Sequence, residues 1–65
     1  MPPNVREIIR RLEREGWVLV RTNGSHRIFR HPARTGIVVV PGKLSRPLPI
    51  GTYRSVLRQS GLEEE

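Results

Sequence analysis

Few residues in this chain are of types that transfer protons or act as nucleophiles, which narrows the chemistry it can perform. The chain contains two histidines, His26 and His31, and neither cysteine nor aspartate. Without cysteine it has no thiolate ligand, and two histidines without aspartate do not make a convincing zinc site. An unperturbed imidazole can accept or donate a proton near neutral pH. If the chain performs chemistry, few side chains other than these histidines are available for proton transfer, and we expect neither a metal site nor a cofactor.

The strongly positive charge indicates the kind of partner. The net charge is +6, but three of the six acidic residues are the terminal glutamates 63–65. Residues 1–62 therefore carry 12 basic and 3 acidic side chains, a net charge of +9. All of the bases except Lys43 are arginines, which contact phosphates in a bidentate manner and stack on bases. This balance favours a nucleic acid or an acidic protein as partner, although a solvated basic surface would have the same composition.

Two helices are predicted from capping signals and from apolar spacing. Asn4 fits an N-cap with a capping-box partner three residues later, and Gly16 suits a left-handed helix end, so the first helix should cover about residues 5–15. Thr52 is predicted to cap the second helix, which should end at Gly61. The expected apolar faces are Val5, Ile8, Ile9 and Leu12 in the first helix, and Tyr53, Val56 and Leu57 in the second.

Three strands are predicted between these helices. Asn23, Gly24 and Ser25 form a hairpin turn signal between two β-branched or alternating runs, residues 17–21 and 25–31. A third run, residues 37–41, ends at a proline that cannot continue the ladder. The predicted fold class is α+β in the order α-β-β-β-α, with one antiparallel three-stranded sheet and both helices on one face.

His26 lies on the second predicted strand, where side chains alternate between two faces. Both Ile28 and Phe29 are apolar, so alternation alone does not identify the inward face. If Phe29 belongs to the core, His26 lies on the open face near the turn. A histidine there could be a surface residue, or it could take the proton of an RNA 2′-hydroxyl so that the alkoxide attacks the adjacent phosphate. Arginines on or beside the hairpin could hold the phosphates: Arg21, Arg27 and Arg30.

An ordered set of motifs resembles a known family. The segment "GSHRIFRHP" is preceded by "EREGWVLVRTN" and followed by "VVVPG" and "GTYRSVLRQSGL". Together these resemble the HicA-type toxins of toxin-antitoxin modules, over about residues 5–62. The resemblance implies a fold like the double-stranded-RNA-binding domain, metal-independent mRNA cleavage, and a catalytic role for His26. It also implies a HicB-type antitoxin that covers this histidine and the basic surface.

The chain departs from the family pattern after the third strand. Many members carry a second basic residue or histidine just after the proline, where this chain reads "PGKLSRP". Lys43 is the nearest candidate for stabilising charge on the phosphate. The group that donates a proton to the leaving 5′-oxygen could be His31, Lys43 or water.

The chain is expected to form one domain over residues 1–62, followed by a disordered acidic tail over residues 63–65. It lacks an apolar run long enough to cross a bilayer, so we expect a cytoplasmic protein that is monomeric without its partner. Two other functions fit the same composition. One is a non-catalytic RNA-binding module, and the other is one half of a protein complex whose arginine surface matches an acidic partner.

Overall fold

The computed structural model describes residues 3–62 and has the predicted order of elements. It contains helix α1 (Val5–Arg14), strands β1 (Val18–Asn23), β2 (His26–Arg30) and β3 (Val38–Val40), and helix α2 (Ile50–Ser60). The strands form one antiparallel sheet in the order β1-β2-β3. The α-β-β-β-α prediction is confirmed, and the architecture is consistent with the double-stranded-RNA-binding-domain-like fold. The predicted disorder of residues 63–65 lies outside the described residues.

Hydrogen bonds define the start of α1, and a glycine follows its end. Asn4 Oδ1 accepts the Glu7 N–H at 3.0 Å and Glu7 Oε1 accepts the Asn4 N–H at 2.9 Å, which is the expected capping box. The Val5 N–H donates to the Arg46 carbonyl at 2.9 Å and ties the helix start to the loop before α2. Gly16 follows the helix with φ +98°, a conformation that residues with side chains rarely adopt.

One face of the sheet packs against both helices. Phe29 is 1% exposed and shares this face with Val38 and Val40 of β3. The rest of the core consists of Val5, Ile8, Leu12, Trp17, Leu48, Val56 and Leu57. Because side chains alternate along a strand, burial of Phe29 places Ile28 on the face that the helices do not cover. We call this second face the open face.

Helix α2 begins two residues before the predicted cap, so the prediction of Thr52 as N-cap is wrong. The N-cap is Pro49, whose carbonyl accepts the Tyr53 N–H at 2.9 Å, and no side chain caps this end. The chain is anchored just upstream, because Leu48 is buried and its N–H donates to the Pro3 carbonyl at 3.1 Å. Once Leu48 is fixed, the helix can start immediately after Pro49, and Thr52 falls inside its first turn.

The C-terminus of α2 has the geometry of a Schellman motif. Gly61 has φ +74°, and the Leu62 N–H donates to the Leu57 carbonyl at 3.0 Å. Arg34, from the loop between β2 and β3, donates from Nη1 to the Ser60 carbonyl at 2.6 Å. This contact joins the far end of the sheet to the end of the helix that covers it.

Candidate active site

The β1–β2 hairpin places His26 at one end of the sheet. Its loop has two residues, Gly24 and Ser25, and Gly24 has φ +63°. A glycine with positive φ at the first central position is typical of type II′ turns, whose twist suits a hairpin. The predicted hairpin is therefore present, and its two loop residues are Gly24 and Ser25, one position later than the Asn23-Gly24 pair. Asn23 and His26 pair directly beside the loop.

His26 is exposed on the open face. It lies three residues before the buried Phe29, so alternation directs its side chain away from the helices. Its imidazole makes no hydrogen bond to any residue in the range 3–62. The acidic residues in that range, Glu7, Glu13 and Glu15, lie in α1 or at its C-cap, behind the sheet. Both ring nitrogens are therefore accessible to a ligand, and no described carboxylate orients them.

The loop after β3 reaches the same end of the sheet. The Gly42 N–H donates to the Ser25 carbonyl at 3.1 Å, which joins the residue before Lys43 to the residue before His26. Continuing the register in which Val40 pairs with Arg27 brings Pro41 opposite His26. Lys43 is exposed and directly follows Gly42, whose backbone makes this contact. The structure thus brings the predicted charge-stabilising lysine to the end of the sheet that carries the histidine.

The three hairpin arginines have different positions. Arg21 pairs with Ile28, and Arg30 lies two residues after Ile28, so both share the open face with His26. Arg27 lies on the opposite face, is half-buried, and donates from Nη1 to the Gly42 carbonyl at 2.7 Å. This bond gives Arg27 a structural role in holding the loop of Lys43. Contact between any of these arginines and RNA stays a prediction.

Comparison with known protein families identifies the family of the chain. A family model described as the HicA toxin of bacterial toxin-antitoxin modules matches residues 5–62, which covers both helices and the whole sheet. The chain belongs to the HicA toxin family. It is therefore the toxin of a toxin-antitoxin module, and such a module includes an antitoxin partner. No curated protein matches the chain.

The second histidine of this HicA-family toxin, His31, is held in place by hydrogen bonds and a ring contact. His31 Nδ1 accepts the Ala33 N–H at 3.0 Å, so the proton of a neutral ring is on Nε2, which lies 3.0 Å from the Glu15 carbonyl. The ring also contacts Trp17 edge-on, with centroids 5.3 Å apart and planes at 66°. His31 lies five residues after His26, about 17 Å along an extended strand. Alternation therefore places its side chain on the face opposite to that of His26. It does not share the site of His26, so the candidate acids that remain at that end are Lys43 and water.

Sequence reasoning missed a group of aliphatic residues on the open face of the toxin. They are Val18, Val20, Ile28, Ile37 and Val39. The run "WVLVR" held the signal, because it is apolar at consecutive positions, whereas a strand with one solvated face alternates apolar and polar residues. A β-bulge between Leu19 and Arg21 shifts the register there, and Val20 borders an open-face concavity beside Ile28.

Residues 3–62 contain neither a cluster of metal ligands nor a membrane-spanning helix. No three His, Cys, Asp or Glu side chains in that range come together as a metal site. No helix in the same range has the length and apolar character needed to span a membrane.

Proposed function

We propose that this toxin is an endoribonuclease that cleaves mRNA through His26 without a metal ion. The observation that carries the proposal is the position of an exposed imidazole on an open basic sheet face, beside the turn that the loop of Lys43 contacts. Family membership supports a toxic activity, and the charge of +9 over residues 1–62 favours a polyanionic substrate. The antitoxin is proposed to be a HicB-type protein that covers His26.

The proposed reaction begins with proton transfer from the RNA to His26. The imidazole takes the 2′-hydroxyl proton, and the resulting 2′-oxygen attacks the adjacent phosphorus. The bond from phosphorus to the 5′-oxygen breaks, which leaves a 2′,3′-cyclic phosphate on one fragment. The departing 5′-oxygen takes a proton from Lys43 or from water and becomes a hydroxyl. The imidazolium then gives its proton to the deprotonated lysine or to the hydroxide, so charge and atoms balance.

Positive side chains would stabilise the negative charge on the phosphate oxygens during attack. Arg21 and Arg30 share the open face with His26, and Lys43 approaches from the loop after β3. Arg27 would act indirectly, because its bond to the Gly42 carbonyl holds the loop that carries Lys43. No step in this scheme assigns a role to Mg²⁺, and the described open face offers no carboxylate, the ligand that Mg²⁺ favours.

The decisive experiment is a cleavage assay of purified chain on a long single-stranded RNA, at low salt and with EDTA. His26→Ala should lower the cleavage rate by at least about 100-fold, the lower end of what a general base contributes. Thr22→Ala is the matched control, because Thr22 is exposed on the same hairpin and pairs with Arg27 on the other face. Its rate should stay within about two-fold of the wild type, and circular dichroism should show all three chains folded.

Other outcomes would identify a different function. Salt-dependent RNA binding by wild type and by His26→Ala, without cleavage by either, would favour the non-catalytic RNA-binding module. Absence of salt-dependent RNA binding would favour a chain that acts only within a protein complex. In cells, expression of the wild type alone should arrest growth, whereas His26→Ala should be tolerated. Equal tolerance of both chains would contradict the proposed toxic mechanism.

A further inference from the structure

The helix side of the molecule carries a hollow that the proposed cleavage chemistry does not use. It has a volume of about 700 Å³ and lies between α1 and α2, where Ile8 and Tyr53 line it. Three arginines of α1 border the same space: Arg10, Arg11 and Arg14. We call this feature the arginine hollow.

Two of these arginines are available to a ligand. Arg10 and Arg14 are exposed, and their side chains make no hydrogen bond or ion pair with residues 3–62. They lie four positions apart on α1, so their Cβ atoms are about 5–6 Å apart and both guanidinium groups can contact one phosphate or two neighbouring ones. Arg11 is half-buried and donates from Nη2 to the Leu62 carbonyl at 3.5 Å.

The described lining of the arginine hollow contains one carboxylate, and that carboxylate has a structural partner. Glu7 Oε1 accepts the Asn4 N–H at 2.9 Å in the capping box of α1. Three arginines and one glutamate leave a charge of +2 among these lining residues. The hollow therefore favours an anionic ligand.

The aromatic ring in the arginine hollow favours a nucleic acid over an acidic protein. Tyr53 is half-buried, packs against the core and also lines the hollow. A ring beside arginines suits a base that stacks while its phosphates are bound. A protein would need an apolar pocket for an anchoring side chain, whereas Ile8 in the hollow is only 1% exposed.

The hollow fits one nucleotide of a strand better than a free nucleotide. A small-molecule site buries most of its ligand in a largely apolar pocket. Here the two available arginines are exposed, so much of a ligand between them would stay in solvent. Such a site gains affinity when the ligand is part of a polymer that is also bound elsewhere on the same chain.

Positive side chains connect the arginine hollow with the end of the sheet that carries His26. Arg6, Arg10 and Arg14 recur every four residues and form one stripe along α1. At the start of this stripe, the Arg6 N–H donates to the Leu44 carbonyl at 3.1 Å, directly after Lys43 in sequence. A strand held near Lys43 could therefore continue along α1 into the hollow.

We infer that the arginine hollow is a second RNA-binding site, in which Arg10 and Arg14 contact phosphates and Tyr53 stacks on a base, away from the point of cleavage at His26. The identity of the polymer rests on the proposed ribonuclease function, whereas binding in the hollow does not require cleavage. The substrate is then a single strand long enough to pass around the edge of the sheet at the Lys43 loop.

The test measures the salt dependence of binding of a fluorescein-labelled single-stranded RNA of about 16 nucleotides to the chain carrying His26→Ala. Arg10→Ala with Arg14→Ala should reduce the magnitude of the slope of the log binding constant against log salt concentration by about 1.4, which is about 0.7 per phosphate contact. Arg54→Ala with Arg58→Ala is the matched control, because these exposed arginines have the same spacing on α2 and do not line the hollow. The control should leave the slope unchanged, and equal slopes for the two double variants would overturn the inference.

Substitution of Tyr53 tests the stacking contact. Tyr53→Leu should raise the Kd for the same RNA about 10-fold, within the range for loss of one stacked base, whereas Tyr53→Phe keeps the ring and should stay within about two-fold. Because Tyr53 packs against the core, circular dichroism must show both variants folded. In the unsubstituted hollow, the nuclear magnetic resonance signals of the Tyr53 ring should shift on addition of RNA. Ring signals that do not move at saturating RNA would refute the stacking contact.

Three outcomes would assign the arginine hollow to a different ligand and overturn the inference. A mononucleotide that binds as tightly as the RNA would identify a site for free nucleotides. Loss of affinity for the purified antitoxin in the variant lacking Arg10 and Arg14, with an unchanged RNA slope, would identify a protein contact. A slope that differs from that of the control only after glutamates 63–65 are replaced by glutamine would assign the hollow to these glutamates, which follow Leu62 in sequence.

Cleavage kinetics separate the inference from the proposed function. In the chain that retains His26, loss of Arg10 and Arg14 should raise KM for the RNA of about 16 nucleotides and leave kcat unchanged, because the hollow binds substrate and transition state equally. Cleavage of an RNA of about 4 nucleotides should be unaffected. Absence of cleavage by the wild type would contradict the proposed function alone, because the binding measurements use the His26→Ala chain.

Discussion

Gly16 and His31 should be energetically coupled, although they lie in different segments of the chain. A Cβ added to Gly16 would lie 2.8 Å from His31 Nε2, and the φ of Gly16 is +98°. The His31 ring cannot easily move aside, because Nε2 bonds the Glu15 carbonyl, Nδ1 accepts the Ala33 N–H, and Trp17 packs against its edge. Gly16→Ala should therefore disturb both the backbone and this ring.

The expected magnitudes follow from those contacts. Forcing alanine into a left-handed backbone costs about 1–2 kcal/mol. Displacing the ring costs about 1–2 kcal/mol more, through the bond to Glu15 and the contact with Trp17. Gly16→Ala should thus lower the free energy of unfolding by about 2–4 kcal/mol. In a His31→Ala background only the backbone term remains, so the same substitution should cost about 1–2 kcal/mol.

The assay is a double-mutant cycle of urea unfolding, monitored by far-UV circular dichroism. A His26→Ala background allows production of all four chains and leaves the region of Gly16 untouched. A chain of 65 residues has a total stability of roughly 3–10 kcal/mol, so effects of this size are measurable. Additivity of the two substitutions within about 0.5 kcal/mol would refute the proposed contact between the new Cβ and the His31 ring.

Three further predictions concern single side chains. Asn4→Ala should lower the free energy of unfolding, measured in urea, by about 1 kcal/mol because it removes the cap of α1. Thr52→Ala should change it by less than about 0.5 kcal/mol because Thr52 caps no helix. Equal effects of the two substitutions would contradict the assignment of Pro49 as N-cap. Arg34→Ala should lower it by about 1 kcal/mol through loss of the bond to the Ser60 carbonyl, and an unchanged urea midpoint would show that this bond is not maintained in solution. Arg21→Ala should reduce by about 1 the magnitude of the slope of the log RNA-binding constant against log salt concentration. An unchanged slope would show that Arg21 does not contact phosphate.

Local signals in the sequence were sufficient for most of the fold. The capping box of Asn4 and Glu7 and the turn at Gly24 act within four residues, so their prediction does not require tertiary contacts. The face of His26 followed once Phe29 was known to be buried. The start of α2 depended on the anchoring of Leu48 by Pro3, a contact between distant segments that no local pattern contains.

The candidate site likewise depends on contacts between distant segments, which local sequence patterns do not contain. Proximity of the Lys43 loop to His26 rests on the bond from Gly42 to Ser25, which joins residues 17 positions apart in sequence. The engagement of His31 by Glu15, Ala33 and Trp17 is likewise tertiary. The family resemblance favours His26 over His31, and packing adds a physical reason, because the imidazole of His26 is exposed whereas the ring of His31 is held by structural contacts.

The exposure of His26 also bears on how the proposed activity could be controlled. No described carboxylate or backbone group holds the ring, so residues 3–62 provide no internal contact that must break before a ligand can reach it. Under the proposed function, a molecule that covers the open face would be sufficient to control this site. Arg21 and Arg30 share this face with His26, so such a molecule would also occupy the proposed phosphate contacts. It would therefore block the proposed substrate by occupying its contacts, and the histidine itself would need no change in structure.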